Sequence, residues 1–260
     1  MSMQKFPPER IICLSEETVE TLYLLGEEQR IVGVTGYAVR PPEARKDKPR
    51  VSAFVSANVE KIISLEPDLV LTFSDLQAEI VQNLLKRGVT VMSYNQRDIK
   101  GIIAMIRHLG SMVGASDRAD KLACSYEKRL KGLAQQCKKT VKPNVYFEEW
   151  NDPMITAIRW VSELIEIAGG REIFSKTSKH QAATKRVVTS EQVISASPDV
   201  IIASWCGKKV RKEQILKREG WQTIPAVINS EIYEIKSPLI LQPGPAALTD
   251  GLDKIIEILN

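Results

Sequence analysis

Two adjacent glutamates and one cysteine are the residues of this chain best suited to catalysis. Glu148 and Glu149 stand beside Trp150, and Cys206 lies in a later loop, so together they could supply a carboxylate base and a thiol nucleophile. No histidine has a motif that links it to Cys206, and adjacent residues of a strand point to opposite faces. An enzyme is therefore kept as the alternative to a non-catalytic binding protein.

Two glycine-containing stretches resemble nucleotide-binding motifs but fail at defined positions. Lys208 follows Gly207, but a P-loop needs glycine at position 202 and serine or threonine at position 209, which are Ile and Lys. The stretch 33–36 is only G-x-x-G, without a third glycine or a helix directly behind it. A P-loop is excluded, and a dinucleotide site is only weakly indicated.

The cysteines and histidines are scattered along the chain. The four cysteines form no C-x-x-C pair, and the two histidines cluster neither with them nor with each other. Zinc sites need closely spaced ligands of these types, so no metal site is expected. A chain of 260 residues does not need disulfides to stabilise its core, so free thiols are the simplest interpretation.

Charge and hydropathy limit the class of protein. The chain has 36 Lys and Arg against 32 Asp and Glu, and this net charge of +4 is too small and too dispersed to indicate nucleic acid. No run of about 18 apolar residues exists that could span a membrane. The first residues contain no apolar signal segment, which predicts a cytoplasmic protein; the alternative is a periplasmic protein whose signal sequence was removed. A monomer is expected.

The elements that would position a site are organised around a stretch that occurs twice. Residues 58–74 and 189–205 align with a shift of 131 positions, and their apolar positions also match. In each copy an Asn or Thr can cap a short helix, a proline ends it, and an apolar run typical of a buried parallel strand follows. This duplication predicts two similar α/β lobes. The identical pairs are Glu60 and Glu191, Ile63 and Ile194, Ser64 and Ser195, Pro67 and Pro198, and Asp68 and Asp199.

The predicted elements divide the chain into three parts. Residues 9–96 form an N-terminal lobe of β-α-β-α-β-α-β order, with a loop at 36–55 that is rich in proline and charge. Residues 97–140 contain two helices without a duplicate, and we interpret them as the connection between the lobes. Residues 141–260 form the C-terminal lobe. The predicted fold class is α/β, with two similar lobes of mainly parallel sheets bridged by this helical connection.

The second lobe is less regular in sequence than the first. Its final helix is expected to begin at a cap formed by Thr249 or Asp250. The other predicted elements are a strand at 144–149, a weak helix at 214–219 and one or two strands at 226–235.

This plan resembles the substrate-binding proteins of ABC importers for cobalamin, ferric siderophores and haem, in which a long rigid helix joins two α/β lobes. The resemblance covers residues 10–259. It implies a protein that binds a cobalamin-like corrinoid or a ferric chelate as a ligand, with no prosthetic group; an intracellular carrier or sensor on the same fold is the alternative. The motifs are RIICLSEETVETLYLLGEEQRIVGVTGY at 10–37, the E-x-x-x-x-x-x-P-D-L-V unit at 60–70, and WVSELIEIAGGREIF followed by SEQVISASPDVII.

In that family the ligand lies in the cleft between the lobes, on loops at the strand ends, in agreement with the general rule for parallel sheets. Aromatic faces there would suit a flat macrocycle, and arginines would meet carboxylate edges. The alternative for any single aromatic residue is packing in the core. The resemblance implies ligand contacts by Tyr37, Arg40, Phe54, Phe73, Ser74, Asp75, Gln77, Asn95, Glu149, Trp150, Arg159, Trp160, Trp205, Cys206 and Gln242.

Two glutamates of the duplicated unit match a further feature of the family. Glu60 and Glu191 occupy the positions of its paired docking carboxylates, one on each lobe, which meet arginines of the membrane permease. A Glu in the first turn of a helix is also favoured by the helix dipole alone. Docking to an ABC permease is therefore an expectation of the resemblance, with this local role as its alternative.

Overall fold

Two sheets, each built mainly of parallel strands, form the framework of the protein. The structure is a computed structural model and describes residues 6–260. The described chain divides into two compact units: the residues up to Gln96 with Lys100–Tyr126, and Arg97–Ile99 with Glu127–Asn260. This confirms the predicted fold class, whereas the limits of the three predicted parts stay a prediction.

The first unit holds a five-stranded sheet in which every neighbouring pair is parallel. Its strands, in the order in which they lie in the sheet, are β3 (Arg50–Ser52), β2 (Ile31–Thr35), β1 (Ile11–Cys13), β4 (Leu69–Phe73) and β5 (Val91–Tyr94). Its helices are α1 (Glu16–Leu24), α2 (Pro42–Asp47), α3 (Val59–Ser64) and α4 (Ala78–Lys86). Because all five strands run in one direction, their carboxyl ends share one edge of the sheet.

Two longer helices follow the first sheet, α5 (Ile99–Met112) and α6 (Ser116–Gln136). Gly110 allows them to approach closely, because a Cβ at this position would lie 2.1 Å from the Cβ of Ala119. Among residues 6–260 no helix is both long and apolar enough to cross a membrane.

The second unit holds a sheet with the strand order β10, β9, β6, β7, and β8 also pairs with β6. The pair β6–β7 is antiparallel and the others are parallel. The strands are β6 (Asn144–Asn151), β7 (Met154–Thr156), β8 (Arg171–Glu172), β9 (Val200–Ala203) and β10 (Ile232–Glu234). The helices are α7 (Arg159–Ile167), α8 (Ser190–Ala196), α9 (Lys212–Leu216), α10 (Pro225–Ile228), α11 (Ser237–Ile240) and α12 (Leu252–Leu259). A π-helical turn at Ala247–Gly251 directly precedes α12.

The two copies of the duplicated unit fold alike. The side chain of Asn58 accepts a hydrogen bond from the third residue of α3, and Thr189 forms a capping box with Gln192 at the start of α8. The proline of each copy then lies between helix and strand, so α3 leads into β4 and α8 leads into β9. The predicted helix–strand unit is therefore confirmed in both places.

The charged loop predicted at 36–55 is wrong, because it contains α2 and β3. Pro42 is the first residue of α2, where its missing N–H costs nothing, and Glu43 follows in the first turn. β3 is a short edge strand in which only Val51 is buried, so its sequence shows no apolar run.

Three predictions for the second unit also need correction. The predicted strands at 226–235 reduce to β10, because Pro225 begins the short helix α10 instead. Thr249 and Asp250 do not cap the last helix, since both lie inside the π-helical turn, where the Thr249 hydroxyl donates to the Pro245 carbonyl at 2.9 Å. The helix predicted at 214–219 is α9, which begins two residues earlier.

Candidate functional site

Loops at the carboxyl edge of the first sheet carry residues that the sequence analysis assigned to ligand binding. Tyr37 lies two residues after β2, Phe54 two residues after β3, and Asn95 directly after β5. Ser74 and Asp75 directly follow β4. The parallel direction of the strands brings these residues to one edge, which is where open α/β sheets bind ligands.

Gln77 connects the loops after β1 and β3 with the end of β4 from the inside of this edge. It is fully buried, its Nε2 donates to the carbonyls of Leu14 at 3.0 Å and Phe54 at 2.8 Å, and its Oε1 accepts from the backbone N–H of Phe73 at 2.9 Å. Phe73 is also buried. Ligand contact by Gln77 and Phe73 stays a prediction. The hydrogen bonds show that Gln77 stabilises the loops at this edge of the sheet.

Acidic residues at the start of α1 lie at the same edge, and the sequence analysis did not select them. Burial and the charges of Glu17 and Glu20 raise the pKa of Glu16 to about 8. Arg40, a predicted ligand contact, pairs through Nε with Glu20 Oε1 at 3.0 Å. Acidic residues at a helix start have an ordinary local explanation, so their sequence gave no sign of this cluster.

An open pocket of about 390 Å³ lies in the second unit, at the carboxyl ends of β6 and β9. β6 runs beyond the predicted end and turns at Pro153 into antiparallel β7, so Trp150 stands on a strand and not in a loop. The far wall was not predicted from the sequence, because it belongs to a 3-10 turn in a polar stretch. The lining residues are Glu149, Trp150, Pro153, Ile155, Ala183, Thr184, Val187 and Cys206.

The carboxylate of Glu149 is held by a buried arginine. Arg186 Nη1 and Nη2 bond to Glu149 Oε2 and Oε1 at 2.6 and 3.0 Å, and Nη1 also donates to the Thr156 carbonyl at 2.6 Å. Only 2% of the Arg186 side chain is exposed. This bidentate ion pair neutralises the charge of Glu149, which is the only carboxylate among the pocket-lining residues.

A lysine covers the tryptophan of the pocket wall. Lys208 Nζ lies 3.8 Å from the ring centroid of Trp150 and 5.4 Å from that of Trp205. The backbone N–H of Lys208 donates to the Trp205 carbonyl at 3.2 Å, and Gly207 adopts a φ of +73° in this turn, which favours glycine. The contact with Trp150 is a cation–π interaction.

The three predicted ligand tryptophans differ in burial. Trp160 and Trp205 are each 2% exposed, and their indole nitrogens donate to the Ile240 carbonyl at 2.9 Å and to Glu148 Oε1 at 3.0 Å. This arrangement is typical of packing residues. Trp150 is only partly buried and lines the pocket. Ligand contact by Trp160 and Trp205 stays a prediction, and Trp150 has the accessible ring.

Arg159 and Gln242 occupy different surroundings from the pocket. Arg159 pairs with Asp98 Oδ2 at 3.1 Å and with Glu163 Oε1 at 2.9 Å, so two carboxylates balance its charge. Gln242 is partly buried after α11, and its carbonyl accepts from the N–H of Gly244 at 2.8 Å. Their ligand contacts stay predictions.

The residues that an enzyme would use, Glu148, Glu149 and Cys206, do not all lie in the pocket. Glu148 is fully buried against Arg218 and is not part of the pocket wall, whereas Glu149 and Cys206 are. Within residues 6–260 no three His, Cys, Asp or Glu side chains group closely enough to hold a metal ion. None of the four cysteines, all of which lie in the described part of the chain, forms a disulfide.

Comparison with known proteins identifies the family. A model of the periplasmic binding protein family matches residues 11–239. The chain belongs to this family. A similar curated protein is the uncharacterized ABC transporter substrate-binding lipoprotein YvrC of Bacillus subtilis (strain 168), which is 28% identical over 263 residues, 97% of this chain and 80% of the relative.

Two solved periplasmic proteins share the fold across the whole chain. The periplasmic vitamin B12 binding protein BtuF of Vibrio cholerae is 25% identical, has a TM-score of 0.77 and matches over 98% of both chains. The periplasmic heme-binding protein RhuT from Roseiflexus sp. RS-1 is 25% identical, has a TM-score of 0.80 and matches over 97% of this chain and 99% of that one. These matches confirm the family resemblance inferred from the sequence motifs.

The expectation of a cytoplasmic protein is wrong. The relatives of this periplasmic binding protein are described as a lipoprotein and as periplasmic proteins. The expectation rested on the absence of an apolar segment in the first residues, which is a weaker indication than relatives that match over almost the whole chain.

The two predicted docking glutamates of this periplasmic binding protein are exposed but differ in their surroundings. Arg87 Nη1 and Nη2 bond to Glu60 Oε1 and Oε2 at 2.5 and 3.0 Å, which lowers the pKa of Glu60. Glu191 lies in the first turn of α8, where hydrogen bonds from its own N–H and from Thr189 lower its pKa. Both carboxylates are therefore charged at neutral pH.

Proposed function

We propose that this periplasmic binding protein binds a cobalamin-like corrinoid, haem or a ferric siderophore, without catalysis, as the substrate-binding component of an ABC importer. The observation that carries the proposal is the pocket at the carboxyl ends of β6 and β9. An aromatic ring, apolar side chains and a few polar groups form its wall, a composition typical of small-molecule sites. The names of the vitamin B12- and heme-binding relatives support this class of ligand.

The pocket would take one part of such a ligand. Its volume of about 390 Å³ lies near the lower end of small-molecule sites, and a tetrapyrrole is larger. Among the predicted contacts we retain those that are not buried, except Arg40 and Arg159, which are paired with carboxylates. The retained residues are Tyr37, Phe54, Asp75 and Asn95 in the first unit, and Glu149, Trp150, Cys206 and Gln242 in the second.

A titration tests the proposal. Purified protein is titrated with cyanocobalamin, haemin and a ferric hydroxamate, while ligand absorbance and tryptophan fluorescence are recorded. We expect saturable binding of at least one of the three with equimolar stoichiometry, and recovery of the unchanged ligand after the protein is denatured. Saturable binding of none of them contradicts the proposal, and a chemically altered ligand would instead favour an enzyme that uses Glu149 and Cys206.

Glu60 and Glu191 are the proposed contacts with the permease. Both are charged and exposed, but a permease arginine would have to compete with Arg87 for Glu60, so we expect Glu191 to be the more sensitive position. Glu60→Gln and Glu191→Gln should reduce ligand uptake by cells while the affinity of the purified protein is unchanged. Glu79, an exposed first-turn glutamate of α4, provides the control variant Glu79→Gln. Normal uptake by both test variants would exclude this docking role.

A further inference from the structure

Lys208 lies beside the wall of the pocket in the second unit, against the ring of Trp150. Glu149 in its wall is already paired with Arg186. Lys208 has its ammonium over the ring of Trp150, and among the ion pairs of residues 6–260 none involves this lysine. Lys208 therefore places beside the pocket wall a positive charge that no ion pair of the described residues neutralises.

The segment 171–218, which supplies part of the pocket wall, is basic in sequence, although two of its arginines are paired with Glu148 and Glu149. Residues 171–218 contain eleven Lys and Arg against four Asp and Glu, a net charge of +7. The whole chain has a net charge of only +4, so the rest of the chain is net negative. Lys176, Lys179, Lys185 and Lys209 of this segment are exposed. An excess of positive charge on a segment that contributes to a pocket wall favours anionic ligands.

Lys208 can exchange its contact with Trp150 for a contact with a ligand. Lys208 lies in the exposed turn after β9, on a flexible side chain, and its ring contact is weak compared with a charge-assisted hydrogen bond to a carboxylate. An acid group of a ligand can therefore draw the ammonium from the ring. The freed face of Trp150 can then pack against an apolar plane of the same ligand.

We propose that Lys208 is a specificity-determining residue that selects ligands with an acid group beside an apolar plane over uncharged ligands. The inference rests on the proposed function and narrows it from three ligand types to acidic chelates, of which haem with its two propionates is the simplest. Arg159, the arginine that the sequence analysis placed among the ligand contacts, is less suited to this role, because Asp98 and Glu163 already balance its charge.

The test compares matched ligands and matched variants. Haemin and its dimethyl ester differ only in the two acid groups, and cyanocobalamin is a corrinoid with no net charge and no free carboxylate. Lys208→Met shortens the side chain by only one atom and retains an unbranched apolar side chain beside Trp150, but removes the charge. Lys209→Met removes a neighbouring exposed charge that has no ring contact. Dissociation constants are measured by tryptophan quenching at two salt concentrations, and melting temperatures are recorded for each variant.

The wild type should bind haemin more tightly than the dimethyl ester. Lys208→Met should weaken haemin binding by about tenfold or more and leave the ester within about twofold, because only the free acid loses a charge-assisted bond. Lys209→Met should retain wild-type affinity, and the haemin preference should decrease with added salt. Both variants should melt like the wild type.

Two results would overturn the inference alone. One is haemin binding that Lys208→Met leaves unchanged or that Lys209→Met weakens equally. The other is wild-type protein that binds cyanocobalamin or the ester at least as tightly as haemin. Saturable binding of none of the tested chelates would overturn the proposed function itself, and the inference with it.

Discussion

Arg218 binds both carboxylate oxygens of Glu148 inside the second unit, with Nη1–Oε2 at 2.5 Å and Nη2–Oε1 at 3.0 Å. Trp205 and Tyr146 donate to the same carboxylate at 3.0 and 3.1 Å, so it accepts four hydrogen bonds while fully buried. The pair connects β6 to the segment after α9.

The first prediction concerns this pair. Arg218→Met leaves a buried carboxylate without its cation and should lower the free energy of unfolding by about 3 kcal/mol. Glu148→Gln combined with Arg218→Met removes both charges, so the double variant should be more stable than the sum of the two single changes predicts. Urea denaturation of the wild type and the three variants measures this coupling. Additive losses would show that the two charges do not depend on each other.

The second prediction separates two tryptophans that the sequence analysis treated alike. Trp205→Ala removes a buried side chain and should lower the free energy of unfolding by about 3–5 kcal/mol, with little change in ligand affinity of the folded protein. Trp150→Ala should keep the melting temperature nearly unchanged and weaken ligand binding by about 1–3 kcal/mol, because its ring lines the pocket. Thermal melting and ligand titration of both variants check the assignment. The reverse pattern would place Trp205 in the site.

The third prediction concerns pH. Burial raises the pKa of Glu172 to about 7, although hydrogen bonds from the Phe174 N–H and from Thr156 and Ser162 oppose the shift, and the charge of Glu166 adds to it. A raised pKa in the folded state means that the folded protein favours the protonated form. The contribution of Glu172 to stability is therefore full below about pH 4.5 and is lost as the pH rises towards 7 and above.

Glu172→Gln should remove this dependence. Between about pH 5 and pH 8, the free energy of unfolding of the wild type should fall by about 3 kcal/mol more than that of the variant. This order-of-magnitude value follows from the size of the pKa shift. Urea denaturation at the two pH values measures the difference. The pKa of Glu16 is also raised, to about 8, so Glu16 should likewise make the folded protein less stable as the pH rises. Glu16→Gln therefore shows how much of the pH dependence comes from the other raised carboxyl group. Parallel pH curves for the wild type and Glu172→Gln would contradict the assignment.

The fourth prediction concerns the aspartates of the duplicated unit, which tie each copy to the first strand of its unit. Asp68 accepts hydrogen bonds with both oxygens, from the N–H groups of Glu9 at 2.7 Å and Arg10 at 3.0 Å. Asp199 accepts one, from the N–H of Asn144 at 2.7 Å. An asparagine has only one side-chain oxygen and can replace only one of these bonds.

Asp68→Asn should therefore lower the free energy of unfolding by about 1–3 kcal/mol, while Asp199→Asn should cost less than about 1 kcal/mol. Alanine at either position removes every side-chain acceptor, so Asp199→Ala should be clearly worse than Asp199→Asn. Chemical denaturation of the four variants provides the comparison. Equal losses for the two asparagine variants would show that the second bond of Asp68 adds nothing.

Local sequence signals determined the two lobes and their parallel strands. The repeated cap, proline and apolar run of 58–74 and 189–205 predict one helix and one strand each, because capping, the proline restriction and burial act within a few residues. Tyr37 and Asn95 follow strands that the sequence predicted, whereas Phe54 was predicted inside the loop at 36–55. The edge strand β3 was missed because a strand with one partner needs only one buried side chain, here Val51.

Tertiary structure alone decided which of the predicted contacts are accessible. Trp150 and Trp205 are the same residue type, each near the end of a strand, yet Trp205 is buried on Glu148 and Trp150 lines a pocket. The pairing of Glu149 with Arg186 joins residues 37 positions apart, and that of Glu148 with Arg218 joins residues 70 positions apart. Such partners depend on how β6, β9 and the loops after them fold together. The unbalanced charge of Lys208 can be recognised only after all of those pairs are known.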